Sequence, residues 1–354
     1  MKIYFIHPRV KSLKDLERHL NIERESLSVD LEWNDNSPDV LIASEWIYYR
    51  NSYFKEFKKL YKKATVKVFY AGEAVEPDFN LFDYAIGFDD RLQFVDRFVR
   101  HPSPIVFFSK FLASGGGISN IAYNNKLLQR EKARVCLSMK KGFCNFLYSN
   151  SRAHEMRDRL FYELSKYKKV DSLGKHLNNV GKIGTGWVGH TRDCTKIKSM
   201  YKFSIASENA AYSGYTSEKI LTSLEAHTIP IYWGNPHISE DVNPECFINV
   251  HDYNSFESLI SKIKEIDEND DLWIDMIIKP WFTDKQLLLQ DERNSIYKRS
   301  MIRILNESKP AIANGTHVDF YRKRIVDGIF PLQLNRENFV YYLKKYFFKR
   351  LQKI

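Results

Sequence analysis

The stretch Phe203–Pro236, FSIASENAAYSGYTSEKILTSLEAHTIPIYWGNP, reads as strand, polar loop, helix, strand and turn. Phe203–Ala206 is apolar and strand-length, and Ser217–His227 carries Ile220, Leu221 and Leu224 as one helical stripe. Ile229–Trp233 is a further buried strand. Strands joined through a helix predict a βαβ unit on a parallel sheet. The loop Ser207–Thr216 then leaves the carboxyl end of a strand, where open α/β sheets bind ligands. Thr216 or Ser217 is placed to cap the helix. Lys219 falls in its first turn, where the macrodipole disfavours a cation; a lysine beside unpaired amides suits an arriving phosphate. Glu218 next to it is suited to paired sugar hydroxyls. A solvated Glu-Lys pair at a helix start is the plainer alternative.

The same alternation continues on both sides. Gly142–Tyr148 and Lys169–Leu173 read as strands around a helix over Ala153–Lys166, followed by a glycine-rich stretch with Gly181, Gly184, Gly186 and Gly189. Phe247–Val250 is a further strand and Ser255–Ile266 a helix. Nearer the N-terminus, strands at Lys2–Ile6, Asp39–Ser44 and Val66–Tyr70 alternate with helices at Ser12–Leu20 and Tyr53–Tyr61. Leu112–Gln129, with Gly115-Gly116-Gly117, has loop character and marks the end of the first domain. The fold class expected is α/β, two Rossmann-like domains facing each other across a cleft: residues 1–125 and 126–334.

Residues 335–354 (NRENFVYYLKKYFFKRLQKI) differ in kind. Phe339, Tyr342, Leu343, Tyr346, Phe347 and Leu351 recur at helical spacing among Lys344, Lys345, Lys349, Arg350 and Lys353. A basic amphipathic helix is the pattern of an interfacial membrane anchor, or of a terminal helix packing its aromatic face on the protein.

With 354 residues the chain has room for about two domains, and 44% hydrophobic with 14% aromatic residues excludes wholesale disorder. No apolar run of about 18 residues spans a bilayer, and Met1–Ile6 is too short for a signal peptide, so a cytoplasmic setting is expected. Four cysteines without a C-x-x-C pair or zinc spacing read as reduced thiols. Lys plus Arg exceed Asp plus Glu by 10, which favours an anionic partner or simply extra surface lysines.

Glu208-Asn209, Tyr215, Ser217-Glu218-Lys219-Ile220 and Ile229–Gly234 together resemble the signature of the α1,3/4-fucosyltransferases, glycosyltransferase family ten, with Ser207, Thr216 and Ser217 in place of Phe, Val and Thr. Ser149-Asn150 followed by Arg157, and Val170–Lys175 followed by Leu177-Asn178-Asn179, resemble the same family. So do Phe69-Tyr70-Ala71-Gly72-Glu73 and Phe79–Asp89, which look like its bacterial members; the likeness runs from about Val66 to His251. It implies a GT-B fold and inverting transfer of L-fucose from GDP-β-L-fucose to a hydroxyl of an oligosaccharide acceptor, an N-acetylglucosamine of a surface glycan by default. The first domain would hold the acceptor and the second the donor.

Inversion needs a base for the acceptor proton, and the resemblance assigns it to Glu73, with Glu76 and Asp78 as neighbouring acids. Arg157, with Arg159 as its rival, and Lys219 would neutralise the pyrophosphate. Asn209, Tyr215 and Glu218 complete the donor set. No cofactor or metal is expected, Asp30-Leu31-Glu32 and Asp89-Asp90 being the nearest approaches to a D-x-D. Expected partners are GDP-fucose, the acceptor, and an anionic membrane surface through the tail at the inner face of the cell membrane, but not nucleic acid. Transfer from another GDP-sugar, or a non-catalytic basic protein binding nucleic acid or lipid, are the competing readings.

Overall fold

The computed structural model describes residues 1–92, 96–101, 128–181, 191–311, 321–322 and 324–326. The tail 335–354, most of Leu112–Gln129 and Gly184, Gly186 and Gly189 lie outside the described residues. The chain divides into two compact units, each an α/β body on its own parallel sheet.

Unit one comprises residues 1–87, 92–100 and the described residues from Tyr297 on. Its strands are β1 (Lys2–Ile6), β2 (Glu32–Trp33), β3 (Val40–Ser44), β4 (Val66–Tyr70), β5 (Tyr84–Gly87) and β6 (Phe98–Arg100), all parallel in the order β2-β1-β3-β4-β5-β6. Every residue of β3 is buried, as expected of a central strand covered on both faces. The period of two sends Ile3, Val40, Ile42, Val66 and Val68 to one face, against Leu16 and Leu20 of helix α1 (Leu13–Leu20). Ile6, Leu41, Ala43 and Phe69 go to the other, against Phe54, Phe57 and Leu60 of α3 (Asn51–Tyr61); the short α2 (Trp46–Tyr49) precedes it. Ser12 caps α1 through the Asp15 N–H, and Asn21 closes it in the left-handed region at φ 53°.

Unit two comprises residues 88–91 and the described residues of 101–296. Its strands β7 (Gly142–Phe146), β8 (Val170–Ser172), β9 (Tyr201–Ser207), β10 (Ile229–Trp233) and β11 (Ile248–Asn249) run parallel in the order β11-β10-β9-β7-β8. Helices α4 (Arg130–Ser138), α5 (Met156–Tyr167), α6 (Thr191–Lys198), α7 (Glu218–Glu225), α8 (Phe256–Glu268) and α9 (Asp270–Ile277) surround them. Leu160 and Leu164 of α5, Ile263 of α8 and Trp273 of α9 form one core with Phe203 and Ile231. Ile220, Leu221 and Leu224 of α7 form the other with Ala206 and Tyr232.

The predicted strands and helices recur within a few residues of their expected ends, but the last long helix, α10 (Asp284–Glu307), was not among them. Its apolar residues serve two cores, Leu287 in unit two and Met301, Ile304 and Leu305 in unit one, so no single stripe runs its length. Tyr297 donates its hydroxyl to the Leu20 carbonyl at 2.8 Å inside unit one. The compact units are not continuous in sequence: the chain returns to unit one at Tyr297.

Each sheet reverses its winding once, between β1 and β3 in unit one and between β7 and β9 in unit two. Such switch points open a crevice at the strands' carboxyl ends. In unit one those ends deliver His7, Ser44 and Glu45; in unit two, Tyr148, Ser207 and Glu208. No helix among the described residues is long and apolar enough to cross a membrane.

The rings of His7 and His19 lie 4.3 Å apart between Phe5 and Tyr70. His7 Nδ1 accepts the Arg9 N–H at 3.1 Å, as a neutral imidazole does. Burial, with Arg9 nearby, lowers His7 to about 3 and His19 to about 4. Both fall below their unfolded values, so the unfolded chain takes up protons first, and stability is lost as pH drops from about 6.5 through 4. The melting temperature should fall across that window, and His19→Phe should make the fall shallower. An equal slope in the variant would show that the pair does not contribute.

Candidate functional site

The second switch point is built on Tyr148, two residues past β7. Its buried hydroxyl donates to the Ile205 carbonyl at 2.8 Å and accepts the Ser207 N–H at 2.7 Å, pinning the ends of β7 and β9 together. The Tyr148 ring supports the guanidinium of Arg157 from α5, Cζ 4.1 Å from the centroid. Arg157 is 1% exposed. Its Nη2 donates to the Ser207 carbonyl at 3.0 Å and to Asn209 Oδ1 at 2.8 Å. Buried Nε finds no acceptor among the described residues. A buried guanidinium N–H without a partner is costly in a protein interior, and its chemistry matches an anionic oxygen. Arg159, the rival, is exposed and lies over Phe256 instead.

Glu208 organises the other half of the site. Fully buried at the end of β9, its Oε1 accepts the Ser217 N–H at 2.7 Å. Its Oε2 accepts the Ser217 hydroxyl at 2.7 Å and Lys219 Nζ at 3.0 Å. Lys219 also donates to Ser217 Oγ at 2.8 Å and stands 3.9 Å from Glu218 Oε1. Burial alone would lower Lys219, but Glu208 and Glu218 outweigh it and hold the ammonium well above its ordinary value. Burial pushes Glu218 up, and Lys219 with Lys198 outweighs that, leaving its carboxyl below the usual carboxylate range.

This corrects the capping expectation. Ser217 does occupy the N-cap position of α7, but its hydroxyl caps no amide; it is spent between Glu208 and Lys219. Thr216 Oγ1 accepts from Asn235. A cation in the first turn is accounted for from inside, because Glu208 offsets the unfavourable helix field.

The loop between Glu208 and Ser217 is tied at several points. Gly214 sits at φ 78°, its N–H on Asn235 Oδ1 at 2.9 Å, and a Cβ there would meet the Phe88 carbonyl at 2.1 Å. Tyr212 donates to Asp89 Oδ2 at 2.8 Å, and the Tyr215 ring packs edge-on against Phe88 at 5.0 Å. Opposite, a Cβ on Gly234 would lie 2.4 Å from Glu208 Cγ, so only glycine leaves room for that carboxylate. Asn178 and Asn179 are structural: they hold the Gly174 and Val170 carbonyls and the Ser172 amide.

Unit two therefore gathers Arg157 with Asn209 and Lys219 with Glu218, and Tyr215 on the same loop. Glu73 belongs to unit one, half-buried just past β4, with Glu45 and Tyr49 as its electrostatic neighbours. Asp78, its acidic neighbour in sequence, accepts from the Asn80 amide and the Tyr321 hydroxyl. Glu208, Tyr148 and Asn235 were not among the expected site residues. The available signal was an acid directly after an apolar strand, nine residues before a serine that opens a helix. Among the described residues no three His, Cys, Asp or Glu side chains gather as a metal site.

Glu208→Gln keeps the shape but takes from Lys219 its nearest counter-charge, leaving only Glu218 at 3.9 Å, so it should cost about 3 kcal/mol, read as a lower urea midpoint. Adding Lys219→Met should restore much of the loss, since removing both charges is far milder than stranding one. Strictly additive losses would show that the two side chains are not coupled.

Residues 137–295 match the model of the glycosyltransferase family 10 (fucosyltransferase) C-terminal region, and residues 21–107 match that of the alpha-(1,3)-fucosyltransferase FucT N-terminal domain. The chain is 32% identical over 232 residues to an alpha-(1,3)-fucosyltransferase FucT of Helicobacter pylori, covering 60% of this chain and 46% of that one. It is 36% identical over 147 residues to a putative fucosyltransferase of Acanthamoeba polyphaga mimivirus, covering 40% and 24%. The chain thus spans less than half the length of these curated relatives. A crystal structure of an alpha1,3-fucosyltransferase with GDP-fucose superposes with a TM-score of 0.61 at 27% identity, covering 85% of this chain and 90% of that one. A structure with GDP gives the same score at 26% identity. With two family models matched in sequence over both units and a shared fold across 85% of its length, the chain belongs to glycosyltransferase family 10, the fucosyltransferases.

Proposed function

We propose that this chain transfers L-fucose from GDP-β-L-fucose, with inversion, to a hydroxyl of an N-acetylglucosamine-type sugar on a surface glycan such as a lipopolysaccharide O-chain or capsule, in an α1,3 linkage. The observation that carries the reading is Arg157: a buried guanidinium at a switch point, braced by Tyr148 and Asn209, with Nε unpartnered among the described residues. Kinship with enzymes solved with GDP-fucose and GDP names the anion such a donor would meet.

In the proposed reaction the acceptor oxygen attacks the anomeric carbon of fucose as the bond to the diphosphate breaks. GDP leaves with the bonding electron pair, and the acceptor proton passes to the Glu73 carboxylate. Arg157 and Lys219 neutralise the charge developing on the diphosphate, side chains serving where other transferases use a metal. Glu208 keeps Lys219 in place for that task. Asn209, Tyr215 and Glu218 orient the nucleotide sugar. A base is needed because a sugar hydroxyl is a weak nucleophile until its proton has somewhere to go.

Thermal unfolding with GDP, GDP-fucose, GDP-mannose, UDP and CMP tests the donor. At about 100 times Kd a ligand adds about 2.7 kcal/mol, enough to raise the melting temperature by a few degrees. GDP and GDP-fucose should do so and UDP and CMP should not; Arg157→Gln should abolish the shift. A silent GDP titration would overturn the reading, and transfer from GDP-mannose in place of GDP-fucose would reassign the sugar. Glu73→Gln should keep the GDP shift while kcat falls by about 10²–10⁴. A normal kcat in that variant would remove Glu73 as the base.

A further inference from the structure

The turn carrying Glu73 is gripped by a second carboxyl group. Glu45 directly follows β3, at the switch point of unit one, and is 3% exposed. Its Oε2 accepts the Gly72 N–H at 2.8 Å. A Cβ added to Gly72 would lie 3.2 Å from Oε1, so backbone and carboxyl are in close contact. Ser44, just before it, donates to the Ile6 carbonyl at 2.9 Å and closes the same junction between β1 and β3. Glu45 therefore stands on a braced strand end rather than on a pliable loop.

Among the described residues, the titratable groups interacting with Glu45 are Glu73 on the turn after β4, Tyr49 on α2 and Tyr70 at the end of β4. None of these is a cation. A neutral amide side chain would take the Gly72 N–H equally well. What a carboxyl adds is a charge that can come and go. Burial raises Glu45 to about 7, with Glu73 adding to the shift and the Gly72 amide opposing it.

We propose that Glu45 is a positioning residue for Glu73: through the Gly72 amide it fixes the Ala71–Glu73 turn, and its buried carboxyl sets the charge beside that turn. This rests on the reading of Glu73 as the base. Below neutrality Glu45 is protonated. Above it a buried carboxylate stands beside Glu73, which works against an ordered turn. The sign for stability follows: a carboxyl raised above its unfolded value contributes stability at low pH and loses it as pH rises through about 7. Replacing it by a neutral side chain of the same shape should therefore help most at alkaline pH.

The test compares the full chain with Glu45→Ala, Glu45→Gln and Glu73→Gln for fucose transfer from GDP-fucose between pH 5.5 and 8.5, with amide exchange of the turn measured in parallel. Glu45→Ala should lower kcat by about tenfold with KM for GDP-fucose unchanged, and speed exchange at Gly72 and Glu73. Glu45→Gln should recover most of that loss at pH 6, lose the wild-type break near pH 7, and raise the melting temperature at pH 8 relative to wild type. Wild-type kcat in Glu45→Ala, or a Glu45→Gln profile superimposable on wild type, overturns the inference. If Glu73→Gln abolishes transfer while Glu45→Ala is normal, only the Glu45 role falls. If the wild type transfers no fucose, or Glu73→Gln transfers it normally, the reading of the base falls as well.

Discussion

The ion pair between Glu208 and Lys219 is the constraint on which the second unit's site depends. A buried pair of this kind contributes little net stability, because both charges lose their hydration. What it does is decide where things are. Glu208 takes the Ser217 amide, the Ser217 hydroxyl and the lysine together, so the first turn of α7 can start in one place only. Beneath it the buried Lys198 donates to the Lys219 carbonyl and to Thr222 and Ser223, fixing the same turn from the other side. The ten-residue excursion before the helix inherits its ends from this network, and the glycine at 234 exists to leave it space.

The two units place opposite chemistry at equivalent points of their topology. At the β7/β9 reversal stand two cations, Arg157, which is buried, and Lys219, half-buried and paired with the buried Glu208. At the β1/β3 reversal and the strand next to it they are acidic or neutral: Glu45, Glu73 and the lowered histidines His7 and His19. The basic surplus of the composition is a poor guide to this. Several lysines are simply paired on the surface, as Lys166 is with Glu163 and Lys262 with Glu265, and such pairs are worth little.

Much of the fold was legible because parallel sheets write themselves as short apolar runs between amphipathic helices. Lys2–Ile6, Val66–Tyr70 and Ile229–Trp233 coincide with their expected limits. The strands missed were β2, β5 and β6, of two to four residues, too short for a pattern to form. At the site, Arg157 was preferred over Arg159 on resemblance alone; the difference in their burial is not legible in the sequence. Glu208 was quoted only as part of a motif, since nothing in a one-dimensional reading says that an acid after a strand will be enclosed. Tyr148 and Asn235 escaped for a similar reason: their work is hydrogen bonding to backbone of β9 and of the Gly214 loop, at separations no periodicity encodes.

The return of the chain to its first unit has a consequence for how this protein can be divided. Tyr297, Met301, Ile304 and Leu305 belong to the same apolar cluster as Ile3, Val40 and Val68. Tyr321 and Arg322 reach the Asp78–Asn80 corner as well. A fragment ending near residue 125 would expose that face of its sheet to water. The natural cut in such an architecture is an excision: residues 101–296 are inserted within the first unit, and exchanging them between relatives calls for a junction near residue 101, one inside helix α10, and a matched 88–91 segment, which belongs to the second unit too.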